Sequence, residues 1–83
     1  MPQVQVTVAN LSGHAQTVHV FDTLRGGTRP VTGSPFSLGQ GDRSAPFGVN
    51  ADPRGHGLVA FRCASGVTSS GIEVSEGANI AIR

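Results

Sequence analysis

The sequence predicts an all-β protein, a small antiparallel β-sandwich, and three observations carry that prediction. Apolar residues recur at every second position through several short runs, the spacing of a strand with one face buried. Gly, Pro, Asn and Asp punctuate these runs at intervals of about 8–12 residues, as in sandwiches and small barrels. No window between breakers holds three turns of helical spacing.

Val4, Val6 and Val8 alternate with Gln3, Gln5 and Thr7 in the first run, and Asn10-Leu11-Ser12-Gly13 supplies a turn after it. Gln16 to Asp22 repeats the pattern through Val18 and Val20, with Thr17, His19 and Phe21 on the other face. Gly26-Gly27 and Pro30 interrupt the chain again. Val31, Phe36 and Leu38 are strand-like but broken by Gly33-Ser34-Pro35, which predicts an edge strand with a kink or bulge.

Gly39 to Asp42 reads as a turn, and Ser44 to Val49 as the next strand, with Ala45, Phe47 and Val49 inward. Pro46 cannot donate to a ladder, so this strand too is expected at an edge. The longest loop, residues 50–57, precedes Leu58–Cys63, apolar at nearly every position and expected to be central and covered on both faces. Val67–Val74 follows with Ile72 and Val74 inward, and Asn79–Arg83 closes the chain with Ile80 and Ile82. The expected core is Val4, Val6, Val8, Val18, Val20, Phe36, Leu38, Phe47, Val49, Val59, Phe61, Cys63, Ile72, Val74, Ile80 and Ile82. These strands fit an immunoglobulin-like or transthyretin-like build, with a small closed β-barrel as the alternative.

Length and composition narrow the function. With 83 residues, the chain is expected to be one domain (1–83) and only marginally stable alone. Small domains are often reinforced by disulfides, a metal or a partner subunit. Cys63 is the single cysteine, so no internal disulfide forms, and His14, His19, His56 and Cys63 have no zinc-ligand spacing. Oligomerisation remains. The formal net charge of +1, with six arginines and no lysine, gives no pull toward nucleic acid or an anionic membrane. Single-strand nucleic-acid binders and most lectins stack ligands on aromatic faces, whereas this chain has four Phe and no Trp or Tyr. The first residues lack the charged and apolar regions of a signal peptide, and no run approaches a membrane span. A cytoplasmic location is therefore expected, although a mature secreted form would share the same composition.

Strands that run up and down place alternate loops at the same end. Residues 23–30, 50–57 and 75–78 then share one end, and residues 10–15, 39–42 and 64–66 the other. The first end holds the long loops and most of the charge, and loops of that kind usually carry function. Arg25, Arg29 and Arg54 with His56 and Asp52 form the candidate ligand-binding set there, since guanidinium forks suit carboxylate or phosphate. Gly26, Gly27, Gly55 and Gly57 would let backbone N–H groups approach the same ligand.

Other features have simpler readings. Cys63 is in phase with Val59 and Phe61 and is expected to be a small buried hydrophobe. Asn10-Leu11-Ser12 is an N-glycosylation sequon that serves as a turn. No nucleophile, base and orienting group can be assembled by name, so no catalytic residue and no cofactor is expected. The function expected is a non-catalytic interaction or structural module. It would be a homo-oligomer or bind another protein through an edge strand, because Val4–Val8 and Ile80–Ile82 lack the lysines that guard free edges. The alternative is a module binding a glycan or small anion through loops 23–30 and 50–57.

Overall fold

The computed structural model describes residues 2–24 and 26–83. Among the described residues the chain forms eight strands and no helix. They are β1 (Gln3–Asn10), β2 (Gln16–Asp22), β3 (Arg29–Pro30), β4 (Phe36–Leu38), β5 (Phe47–Asn50), β6 (Gly57–Cys63), β7 (Thr68–Val74) and β8 (Ala78–Ile82). One sheet has the order β5-β1-β8 and the other β3-β2-β6-β7, with β4 also pairing with β2. The two sheets enclose a single apolar core, as in a small sandwich, and no closed barrel forms among the described residues.

The expected interrupted edge is present, but its first half is Arg29–Pro30, inside the expected loop 23–30, rather than a strand through Val31. β3 pairs with the end of β2 (Asp22 opposite Arg29) and β4 with its beginning (Gln16 opposite Leu38), so they are two halves of one interrupted strand. Across the gap, Val31 N–H donates to the Val20 carbonyl at 3.1 Å, and Val20 N–H donates to Ser34 Oγ at 3.1 Å. One side-chain hydroxyl thus replaces the missing ladder acceptor, and no backbone group of Val20 is stranded.

The inward set is buried throughout except for Phe36 and Ile72, which are half-buried against it. Val6, Val8, Val49 and Ile82 from one sheet meet Val18, Val20, Val59 and Cys63 from the other. Each such aliphatic contributes about 1.5–3 kcal/mol by leaving water. At Gly57 the two layers approach closely. A Cβ there would stand 2.7 Å from the Asn50 carbonyl and 3.1 Å from Val49 Cγ2.

Four further details depart from the sequence reading. β1 is the centre of its sheet rather than an edge, and it runs parallel to β8, Val6 lying opposite Ala78 and Asn10 opposite Ile82. The cause is connectivity: β8 enters from β7 in the other sheet through the turn at 75–77 and meets β1 running the same way. β5 begins at Phe47, with Ser44 buried and Ala45 exposed, because Ser44 turns inward. Its Oγ accepts from Val8 N–H at 3.1 Å, and its own N–H donates to the Val8 carbonyl at 2.8 Å. β6 is central, between β2 and β7, but covered on one face only, with Leu58 and Ala60 half-buried and Arg62 exposed. Finally, β7 carries one extra residue between the pairs Val59–Ile72 and Phe61–Ser69. Gly71 absorbs it at φ +68°, a conformation that costs glycine nothing.

The top of β1 is held by a buried amide. Asn10 is fully buried, and its Nδ2 donates to the carbonyls of His14 (2.8 Å), Leu38 (3.0 Å) and Gly39 (3.2 Å). Its Oδ1 accepts from Ser12 N–H at 3.0 Å and from Ser12 Oγ at 2.6 Å. Replacing Asn10 by Ala leaves several of these groups without partners, each costing about 1–3 kcal/mol. Urea denaturation of Asn10→Ala is expected to show a loss of about 3 kcal/mol. A loss below about 1 kcal/mol means that water replaces the amide freely.

Candidate functional site

The registers place the turn after β2, the β5–β6 loop and the 75–77 turn at one end of the sandwich, here called lower. The turns at 11–15, 39–42 and 64–66 lie at the upper end. The strand ends from which the two long lower loops spring are joined. Asp22 Oδ2 accepts the Asn50 N–H at 2.9 Å while its Oδ1 accepts Leu24 N–H at 3.2 Å. Thr23 N–H donates to the Leu58 carbonyl at 2.9 Å. One carboxylate therefore ties the end of β2 to the end of β5 in the opposite sheet.

Asp52 organises the β5–β6 loop in the same manner. Its Oδ1 accepts from Arg54 N–H (2.9 Å) and His56 N–H (3.0 Å), and its own N–H donates to the His56 carbonyl at 2.8 Å. The His56 N–H holds the Asp52 carboxyl below its ordinary range, opposed by desolvation and helped by the Arg54 N–H and the charges of His56 and Arg54. One carboxylate oxygen is thus engaged by its own loop. His56 Nδ1 lies 3.4 Å from Glu73 Oε1, both side chains being largely exposed, and a pair of that kind adds little. Arg29 and Arg54 are exposed, and among the described residues neither side chain forms an ion pair or hydrogen bond. Arg25 lies outside the described residues. Of the five residues singled out, the fold brings Asp52, Arg54 and His56 into one loop and leaves Arg29 on β3.

The histidines do not assemble, and no cluster of three potential metal ligands occurs among the described residues. Cys63 is buried beneath the upper end, and desolvation pushes its thiol up, away from the thiolate.

The upper end is shaped differently. An open cleft of about 470 Å³ lies between its three turns, lined by His14, Gln16, Thr17, Ser37, Leu38, Ser65 and the small residues beside them. Gln16 is nearly buried and joins the walls. Its Nε2 donates to Ser12 Oγ at 3.2 Å and lies 3.3 Å from His14 Nε2, while its Oε1 accepts from Ser65 Oγ at 3.0 Å. Sequence reasoning passed over this end because its loops are short and almost uncharged. A signal was present all the same: Asn10, Ser12, His14 and Gln16 continue the period of two with hydrogen-bonding residues through what reads as a turn.

The free sheet edges are the remaining candidates. In the larger sheet, β3 and β4 are interrupted and β7 is bulged, both recognised ways of blunting an edge. In the smaller sheet, β8 pairs with β1 over five consecutive residues without a bulge and has no strand on its other side among the described residues. Its sequence, Ala78-Asn79-Ile80-Ala81-Ile82, contains no charge and no proline.

The Asp52 geometry fixes a pH dependence. A carboxyl whose folded pKa is depressed adds stability that is complete above its unfolded pKa and is lost as pH falls through the folded value. Asp52→Asn keeps an acceptor for both N–H groups but does not titrate. Melting temperatures measured from about pH 6 down to about pH 2, across the usual carboxyl range, are expected to fall further for wild type than for this variant. A gap that stays constant over that range contradicts the role given to the carboxylate. No protein-family model, curated protein or solved structure matches the chain.

Proposed function

We propose that this domain is a non-catalytic interaction module that self-associates through β8. The observation that carries the reading is the longer of the smaller sheet's two unguarded edges: five regular residues, uncharged, free of proline and paired on one side only. Natural edges of that length are usually charged, bulged or covered, and the other long edge of this fold carries such protection. A second copy meeting β8 about a twofold axis joins the two three-stranded sheets into one continuous sheet. The reading also fits a small domain whose single cysteine excludes an internal disulfide and whose described residues hold no cluster of three potential metal ligands.

Backbone direction makes the reading testable. The Ile82 carbonyl accepts from Leu11 N–H at 2.7 Å, just beyond the top of β1, so Ile82 and Ile80 turn their backbone groups toward β1. By alternation, Asn79 and Ala81 turn theirs toward the open edge. Ala81→Pro therefore removes a free-edge donor without breaking the β1 ladder. Light scattering across a concentration series is expected to show wild type as a dimer and Ala81→Pro as a monomer with an unchanged circular-dichroism spectrum. A wild type that stays monomeric at millimolar concentration, or a proline variant that dimerises equally well, sinks the reading.

A further inference from the structure

The cleft at the upper end is separate from the β8 edge and has a chemistry of its own. Its polar lining residues, Thr17, Ser37, Ser65, Gln16 and His14, carry no permanent charge. No Arg, Asp or Glu lines it. Thr17 and Ser37 stand opposite each other on β2 and β4, on the outward face of the sheet. Neither hydroxyl has a hydrogen-bond partner among the described residues, so both are free to donate and accept. Ser65 Oγ spends its proton on Gln16 and keeps its lone pairs. The floor is small and apolar, with Ala15, Leu38, Gly39 and Ala64.

The walls are fixed before any ligand arrives. Asn10 ties the 11–15 turn to Leu38 and Gly39, and Gln16 ties it to Ser65. A volume of about 470 Å³ falls in the range of small-molecule sites, about 300–1,000 Å³. Donors and acceptors interleaved over an apolar floor match a ligand that presents hydroxyls at its rim and C–H groups on its face. No described lining residue carries a permanent charge that could pair with an anion or a cation.

We propose that the cleft binds a small neutral polyhydroxylated ligand, of the chemistry of a monosaccharide, through the hydroxyls of Thr17, Ser37 and Ser65, with Gln16 bracing the wall behind them. Without an aromatic platform, affinity rests on polar contacts and is weak, with Kd in the millimolar range.

The test is a titration of the isotopically labelled protein, followed by amide chemical shifts. The probes are the methyl glycosides of glucose, mannose and galactose, with inorganic phosphate as the charged contrast. Saturable shifts at residues 14–17, 37–39 and 64–65 with at least one glycoside are expected. The Thr17→Val, Ser37→Ala double variant, which alters only outward-facing hydroxyls, is expected to bind about tenfold more weakly at an unchanged melting temperature. Three results overturn the proposal: no saturable shift with any of the three glycosides, saturation by phosphate alone, or equal affinity in the double variant. If the double variant unfolds, Ser37→Ala alone is titrated against the same probes, and an unchanged affinity is equally fatal.

Discussion

The upper half of the fold depends on one buried side-chain amide. At Asn10, β1 ends, the sheets meet and three separate stretches of chain converge, all presenting backbone carbonyls or N–H groups that have left water. A buried polar backbone group without a partner costs about as much as a lost hydrogen bond. Asn10 answers the problem with one planar group, donating from Nδ2 to three carbonyls and accepting at Oδ1 from Ser12. The backbone of the same residue completes the arrangement, because its carbonyl accepts from Gly41 N–H and its N–H donates to the Asp42 carbonyl, both at 2.8 Å. The segment from Gly39 to Ser44 is thereby laid along β1, with Arg43 opposite Ala9.

The two ends of the sandwich solve the same problem with different chemistry. At the lower end, Asp22 and Asp52 receive backbone N–H groups and fix the long loops. Arg29 and Arg54 nearby are left in solvent. At the upper end the neutral amides of Asn10 and Gln16 serve instead, and the turns they brace stand apart to leave a cleft. Charge in a loop is therefore a poor guide here to where a ligand fits. Two of the lower end's carboxylates maintain loop geometry, and a cleft lies at the other end where little charge occurs.

Much of this architecture was legible in the residues. The strict alternation of Val4, Val6, Val8, Val18 and Val20 reports a half-buried ribbon whatever its neighbours, and Gly33-Ser34-Pro35 reports an interruption for purely local reasons. What alternation does not encode is which ribbon lies beside which. The central position of β1 and its parallel pairing with β8 are set by a crossing between sheets through only three turn residues, and the same local pattern would serve at an edge. Phase also failed where a side chain had a hydrogen bond to make. Ser44 displaced Ala45 from the interior because its hydroxyl satisfies Val8 N–H, a gain that hydropathy does not measure. The cleft was hidden for a related reason, since polar residues at 10, 12, 14 and 16 read as a solvated turn until their partners are known.

The parallel pairing of the first and last strands has a mechanical consequence. β1 begins at the lower end and β8 finishes at the upper end, the two lying side by side from Val6 to Asn10 and from Ala78 to Ile82. Tension applied between Gln3 and Ile82 pulls these neighbours past one another along their length. The interstrand bonds are then loaded in shear and share the force, rather than opening in succession as they would in a hairpin peeled from its ends. Stretched in this direction, the domain resists as a clamp, although its equilibrium stability is that of a small and lightly reinforced fold.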